Sequence, residues 1–371
     1  MIDFLNEAPY SSFTKTFFET ADFLDFSLNL HNQRPDFFVD LNPLIASPWK
    51  LNSFFPQCSS ENTVEMIDLG MLRISGRPPK TGERGLQVVL SVGLHGNETA
   101  PIEIVRDIVA QVLLGKTKVA GEVLIFFGHL EAMVMKKRQI EENLNRCFGI
   151  EENVLSRVRS QEQGRANRLK LALKNYRNPN LPLLHLDLHT AIRDSLYPRF
   201  AVLPQKKSEQ DYTHAFLRCL ERMGLQAFLM SDGATTTFSH YTSALYSGLS
   251  ATVELGAVRE FGKNNHQDFL QARHELIRLL ETNCLPNDSL PVDVLFFDVI
   301  RTLKRKGENF KFLFSEDLPN FSKFKAETPI MEDDGRVFRI HSDDERIVFP
   351  NSKVGIGERA GLIVSPRKRP H

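Results

Sequence analysis

The chain of 371 residues has no apolar run approaching the roughly 18 residues that a membrane span needs. Its first residues, Met1-Ile2-Asp3-Phe4, lack a basic n-region followed by an apolar h-region. Both absences point to a cytoplasmic protein with no membrane partner. Nor is one sign of charge in excess: Lys+Arg and Asp+Glu both number 46, so no global basic field is available to draw nucleic acid. Cysteine is scarce and scattered at Cys58, Cys147, Cys219 and Cys284, with no CxxC pair, which argues for free thiols in a reducing compartment. Cys147 follows Arg146 but has no evident partner to activate it, so packing is its expected role. No internal repeat or low-complexity tract is present. Small-molecule chemistry is the class left standing.

What is present is a set of apolar runs, each ending in a ligand-type or acid-base residue. Leu86 to Val92 leads into His95-Gly96-Asn97-Glu98, which precedes an amphipathic segment from Pro101 to Leu114. Leu183 to Leu188 delivers His189, and Ala251 to Val253 delivers Glu254-Leu255-Gly256. In an open α/β sheet the carboxyl ends of strands line the ligand crevice, so residues far apart in sequence can converge there. His95, Glu98 and His189 have the chemistry of a catalytic zinc set, three His or carboxylate ligands with a position left open for water. Glu254 is then free to act as a general base. An isolated HxxE is often a coincidence on a helix surface; here its place after a strand, with Gly96 permitting a tight backbone, favours a site. The expected chemistry is hydrolysis by a water activated at a metal.

The rest of the chain alternates strand and helix patterns. Leu69 to Ile74, Leu86 to Val92, Val123 to Phe127, Leu183 to Leu188, Phe200 to Leu203, Ala227 to Met230 and Ala251 to Glu254 read as strands. Pro101 to Leu114, Gln161 to Tyr176, Glu209 to Met223 and Gln267 to Leu280 read as helices. The alternation predicts an α/β fold, a mostly parallel or mixed sheet covered on both faces. Residues 1–60 form a lead with Phe17-Phe18, Phe37-Phe38 and Phe54-Phe55 doublets, broken by Pro43, Pro48 and Pro56. Their aromatic content predicts packing on the catalytic domain, residues 61–285, or on a partner subunit. Residues 286–371 change to short strands with turn signals at Asp333-Asp334-Gly335 and Gly355-Ile356-Gly357, predicting a small β-rich C-terminal domain with a basic tail from Pro366 to His371.

Three stretches together resemble the succinylglutamate desuccinylases: Gly93-Leu94-His95-Gly96-Asn97-Glu98-Thr99-Ala100-Pro101, Asn143-Leu144-Asn145-Arg146-Cys147-Phe148 and His185-Leu186-Asp187-Leu188-His189-Thr190-Ala191-Ile192-Arg193. Thr237-Phe238-Ser239-His240, Thr252-Val253-Glu254-Leu255-Gly256, Phe261-Gly262-Lys263-Asn264 and Phe349-Pro350-Asn351 extend the match, so it runs from about Thr63 to the C-terminus. The related aspartoacylases share the zinc-carboxypeptidase fold and the HxxE. The nine residues from His185 to Arg193 are much more particular to the desuccinylases.

The resemblance implies a zinc-carboxypeptidase-like mixed sheet flanked by helices, and one Zn2+ held by His95, Glu98 and His189. It makes Glu254 the acid-base carboxylate. Asn145 and Arg146 match a pair that grips the substrate α-carboxylate, for which a planar guanidinium is suited. Arg138, in a Lys136-Lys137-Arg138 run otherwise read as a solvated cluster, matches an arginine that stabilises the oxyanion. Arg193 is a further candidate for a substrate carboxylate, with solvation as the alternative. His185 and Asp187 share one strand face by period two, so one of them can orient a ligand histidine. The relatives usually carry Asn-Pro where this chain has Gly128-His129-Leu130-Glu131, and His129 is expected to be structural. The implied activity is cleavage of N2-succinyl-L-glutamate to succinate and L-glutamate in arginine catabolism. An aspartoacylase-type deacylase or a non-catalytic metal- or amino-acid-binding module are the alternatives.

Overall fold

The computed structural model describes residues 20–33, 49–51, 55, 58, 62–79, 85–150, 158–205, 212–287, 292–315 and 317–367. The elements follow in chain order: α1 (Phe23–Gln33), β1 (Trp49–Lys50), β2 (Thr63–Asp68), β3 (Met71–Ser75), β4 (Gln87–Val92), α2 (Thr99–Leu113), β5 (Glu122–Phe127), α3 (Leu130–Val134), α4 (Gln161–Tyr176), β6 (Leu183–Ala191) and β7 (Arg199–Leu203). Then come α5 (His214–Arg222), β8 (Ala227–Met230), α6 (Phe238–Tyr246), β9 (Leu249–Ala257) and α7 (Leu270–Thr282). The C-terminal part holds β10 (Leu295–Lys304), β11 (Lys311–Phe312), β12 (Ser322–Lys323), β13 (Pro329–Asp333), β14 (Arg336–Arg339), β15 (Arg346–Val348) and β16 (Arg359–Pro366).

Thirteen strands form one sheet in the order β1-β2-β3-β5-β4-β6-β9-β7-β8-β10-β16-β15-β12, and β11-β13-β14 form a second. The centre, β5-β4-β6-β9, is parallel; β7 then runs antiparallel to β9. The expected mixed sheet flanked by helices, with a β-rich C-terminal part, is what the chain forms. The central strands are buried on both faces, β4 (QVVLSV) and β6 throughout, as a strand needs when helices cover both sides. Helix α2 turns Ile102, Val105, Ile108 and Val112 onto the sheet, and carries Pro101 in its first turn, where a missing N–H costs little.

Two strands run further than their sequence pattern predicts. The β6–β9 ladder continues past Leu188↔Val253 to His189↔Glu254 and Ala191↔Ala257, with an irregularity between His189 and Ala191. His189 therefore stands within a paired strand rather than just beyond it, and Glu254 inside its strand rather than at the end. Helix α5 begins at His214, within the predicted Glu209 to Met223; residues 206–211 lie outside the described set. Helix α6 has no counterpart in the sequence reading, since the Ser, Thr, His and aromatic residues that dominate FSHYTSALY are poor helix formers. Thr237 caps it by accepting from His240 N, and Ser247 ends it in the left-handed region at φ 53.

Of the lead, Phe17, Phe18, Phe37, Phe38, Phe54, Pro43, Pro48 and Pro56 lie outside the described residues. Helix α1 lies against the catalytic core: Phe23, Phe26 and Leu30 are buried with Phe55, and the Phe23 and Phe127 rings stand 6.2 Å apart. Buried Arg168 on α4 grips Asp68 at the end of β2, with Nε 2.6 Å from Oδ2. Among the described residues no helix is long and apolar enough to cross a membrane. None of the four cysteines is in a disulfide.

Candidate active site

The loop after β4 brings the first ligand pair into the sheet end. Gly93 sits at φ +63, and at Gly96 a Cβ would meet the backbone of Ala132 and Met133 at 2.2 and 2.3 Å, so α3 leaves room only for glycine. Gly96 N donates to the Arg138 carbonyl, 3.2 Å away, tying this loop to the segment that carries Arg138. Glu98 is the N-cap of α2, where the helix dipole favours negative charge.

His95, Glu98 and His189 converge, each buried, with donor atoms all within 4.8 Å of one another. Glu98 spans the two imidazoles: Oε1 lies 2.8 Å from His95 Nδ1 and Oε2 2.8 Å from His189 Nδ1, the two Nδ1 atoms being 3.2 Å apart. The far nitrogens face oxygens. His189 Nε2 lies 2.9 Å from Asp187 Oδ2, and His95 Nε2 2.9 Å from Asn143 Oδ1. An acceptor oxygen on Nε2 orients each ring and turns its Nδ1 toward the Glu98 carboxylate, the arrangement that orients metal-ligating histidines. Glu98 Oε2 also accepts from Thr190 N at 3.1 Å. This donor set fits a divalent first-row metal ion.

Charge in the site follows from burial and contact. Burial opposes ionisation of Glu98, but His95 and His189 outweigh it and hold the carboxyl well below its usual range. Burial brings His95 down to about 4, against the pull of Glu98. For His189 the balance reverses: burial lowers its pKa, but Asp187 and Glu98 together hold it well above the usual imidazole value. Glu254 is only 7 % exposed, and its Oε2 has no hydrogen-bond partner. Burial first, and then the Glu98 charge, raise its pKa to about 7. A carboxylate poised near neutrality with a free oxygen has the properties of a proton-transfer group.

Asp187 proves to be the member of the His185/Asp187 pair that contacts a candidate ligand. Ser91 Oγ donates to Asp187 Oδ1 at 2.6 Å and lies 2.8 Å from His185 Nε2, while His185 Nδ1 lies 2.8 Å from Thr242 Oγ1. His185 thus supports Asp187 through a hydroxyl. Asn145 Nδ2 lies 3.3 Å from Asp187 Oδ2 and 3.1 Å from His189 Nε2, and its Oδ1 accepts from Phe238 N at 2.9 Å. His129 caps α3 and sets Nε2 3.0 Å from Glu162 Oε1, which also accepts from Ile140 N and Glu141 N at 2.8 and 3.0 Å. His129 and Glu162 so fix the segment between Arg138 and Asn145.

The arginines divide. Arg138 NH1 donates to Glu98 Oε1 at 2.5 Å, which puts its guanidinium beside the candidate metal ligands. Arg146 NH1 donates to its neighbour's carbonyl, Asn145 O, at 2.8 Å. Its side chain is exposed to solvent, with Arg359 and then Arg138 repelling it and Glu358 attracting it. Arg193 Nε donates to the Pro350 carbonyl at 2.7 Å, which ties the chain after β6 to the C-terminal part. Two residues at the site went unassigned in the sequence reading, Asn143 and Arg359. Asn143 stood within the Asn-Leu-Asn-Arg stretch and was recoverable as a capping residue; Arg359 gave no local signal.

A buried His-Glu-His group that could hold a metal ion lies at the carboxyl end of a mixed α/β sheet, with the buried Glu254 carboxylate on the neighbouring strand, a layout suited to hydrolysis. Residues 84–280 match the succinylglutamate desuccinylase/aspartoacylase catalytic domain, and residues 292–367 match the AstE/AspA barrel-sandwich hybrid domain. The chain belongs to the succinylglutamate desuccinylase/aspartoacylase family, whose catalytic domain acts on amide bonds. It is 39% identical over 293 residues to a succinylglutamate desuccinylase of Pseudoalteromonas atlantica, covering 75% of this chain and 81% of that one. It is 31% identical to that of Shewanella amazonensis over 93% of this chain and 99% of that one. The crystal structure of succinylglutamate desuccinylase from Vibrio cholerae superposes with a TM-score of 0.78 at 30% identity, covering 93% of this chain and 94% of that one.

Proposed function

We propose that this chain hydrolyses N2-succinyl-L-glutamate to succinate and L-glutamate, using one Zn2+ held by His95, Glu98 and His189, in cytoplasmic arginine catabolism. The observation that carries the metal assignment is the pair of Nε2 atoms facing Asp187 and Asn143, which turns both Nδ1 atoms to one buried carboxylate. The acyl and amino-acid identity rests on the likeness to desuccinylases over most of the chain.

A divalent ion bound there supplies Lewis-acid activation of a water and of the scissile carbonyl. Glu254, unpartnered at Oε2, takes the proton from the attacking water and returns it to the departing glutamate nitrogen. A neighbouring cation lowers a carboxylate pKa, so the bound ion favours the basic form of Glu254. Arg138, beside Glu98, faces the negative charge that develops on the carbonyl oxygen. Arg146, next to Asn145, holds the α-carboxylate with a planar two-bond grip.

Steady-state hydrolysis of N-succinylglutamate, N-acetylaspartate and a short peptide by the zinc-loaded protein tests the reading. Expected is a kcat/KM for N-succinylglutamate at least about tenfold above either competitor, the ratio that one extra charge-assisted contact supplies. Faster cleavage of N-acetylaspartate would make the chain an aspartoacylase-type deacylase instead.

A further inference from the structure

The C-terminal part brings Arg359, with Glu358 before it, toward the site. Strand β16 opens with Arg359, at the end of a hairpin from β15 that is pinned by Asn351 N to Ala360 O at 2.8 Å and by Gly357 N to Arg305 O at 2.7 Å. The Arg359 guanidinium lies 5.5 Å over the Phe349 ring, and that ring lies 5.6 Å from Phe200. Phe200 is the cross-strand partner of Glu254. Phe349 holds its place at φ 56, with its N–H on Asn320 Oδ1 at 2.8 Å, and Arg193 clamps the next carbonyl, Pro350 O. A stack of Phe200, Phe349 and Arg359 thus carries a cation from residue 359 toward the strand that bears the proton-transfer carboxylate.

Among the described residues, the Arg359 guanidinium has the ring face as its neighbour and no hydrogen-bond or ion-pair partner. Arg359 is partly buried, which lowers its pKa; Glu254 attracts it and Arg138 repels it. Arg138, Arg146 and Arg359 therefore gather on one side of the site; Glu98 is ion-paired with Arg138, while Glu358 and Glu254 attract Arg146 and Arg359 without forming an ion pair with them among the described residues. N-succinylglutamate is a trianion. Arg146 accounts for one carboxylate, while Arg138 is directed at the reacting carbonyl.

We propose that Arg359 is a substrate-binding residue, pairing with a substrate carboxylate other than the one held by Arg146, so that the C-terminal domain helps set specificity for the polyanionic substrate. The proposal rests on the functional reading above. Two carboxylates remain, the succinyl terminus and the glutamate side chain, and both present the same planar acceptor to the guanidinium.

The test compares zinc-loaded wild type, Arg359→Gln and Arg359→Lys on N-succinylglutamate, N-acetylglutamate, which lacks the acyl carboxylate, and N-succinyl-2-aminobutyrate, which lacks the side-chain carboxylate. Removing one partner of a charged pair at a binding site lowers kcat/KM by about 30-fold or more. Arg359→Gln should show that loss on N-succinylglutamate, and the loss should vanish on one truncated substrate, which names the partner carboxylate. Arg359→Lys should recover part of it. Equal losses on all three substrates, or no loss on N-succinylglutamate, would overturn the proposal. Calorimetric binding of succinate and of L-glutamate to the same proteins separates this from the functional reading. If wild type fails to cleave N-succinylglutamate, that reading falls, yet weaker binding of one product by Arg359→Gln still supports the Arg359 assignment. Unchanged binding of both overturns it.

Discussion

The floor of the site and its rim are assembled in opposite ways. The floor is imidazole and carboxylate, His95, Glu98, His189 and Glu254, at most 7 % exposed and placed by the adjacent parallel strands β4, β6 and β9 and the loop after β4. The rim is guanidinium: Arg138 and Arg146 come from the segment between α3 and α4, and Arg359 from the far end of the chain. His95, Glu98 and His189 hold one another in place by direct contacts, while Glu254 keeps one oxygen without a partner. Rim residues repel one another, so their geometry is held by backbone carbonyls, an aromatic stack and the His129–Glu162 clamp. On the proposed reading, chemistry on the floor needs fixed groups, whereas the rim holds charge for an anion that arrives with the substrate.

That division orders the expected effects of substitution. The largest belongs to the metal ligands: Glu98→Ala or His189→Ala should lose bound zinc together with activity, by more than the roughly 10²–10⁴-fold expected of an acid-base group. Metal analysis after dialysis checks this, and one zinc per chain retained in both variants would end the assignment. Glu254→Gln keeps the shape and should keep the zinc, while kcat falls by about 10²–10⁴-fold. Near-normal turnover there would move the base to another carboxylate, and a protein that only binds would show no turnover to lose.

Rim substitutions should be smaller and should separate by kinetic parameter. Arg138→Lys should lower kcat by about 10²-fold with KM less affected, because its partner is charge that develops only in the transition state. Arg146→Lys should raise KM by about tenfold with kcat nearly preserved, since the α-carboxylate is held equally before and during reaction. If both raised KM alike with kcat untouched, Arg138 would be an anchor. Asp187→Asn tests the boundary: it keeps a hydrogen bond to His189 but removes charge, and should weaken zinc affinity or activity by about 10–100-fold. Behaviour like a rim variant, with KM alone changed, would remove Asp187 from the orienting role.

The same contrast explains what was legible in the sequence. Apolar runs ending at His95, His189 and Glu254 mark the floor because buried parallel strands write themselves as continuous hydrophobic stretches. The ladder carrying His189 and Glu254 onward was not readable, since pairing depends on a partner strand some 65 residues away, as the His189↔Glu254 register records. Helix α6 was missed because tertiary packing of Phe238 and Tyr241, with a Thr237 cap, sustains it despite its poor helix formers. Arg359 was invisible for a related reason: nothing local in Gly355 to Gly361 says that this hairpin folds back to Glu254.

The central claim, that one bound ion on the His95–Glu98–His189 floor makes the protein a hydrolase, is tested most directly by metal reconstitution. The protein is stripped with a chelator and titrated with Zn2+ while N-succinylglutamate hydrolysis is followed. The account predicts negligible activity in the stripped protein and a linear recovery that breaks at one equivalent per chain. Full hydrolysis by the metal-free protein, or a recovery that proceeds equally well in Glu98→Ala, would contradict it.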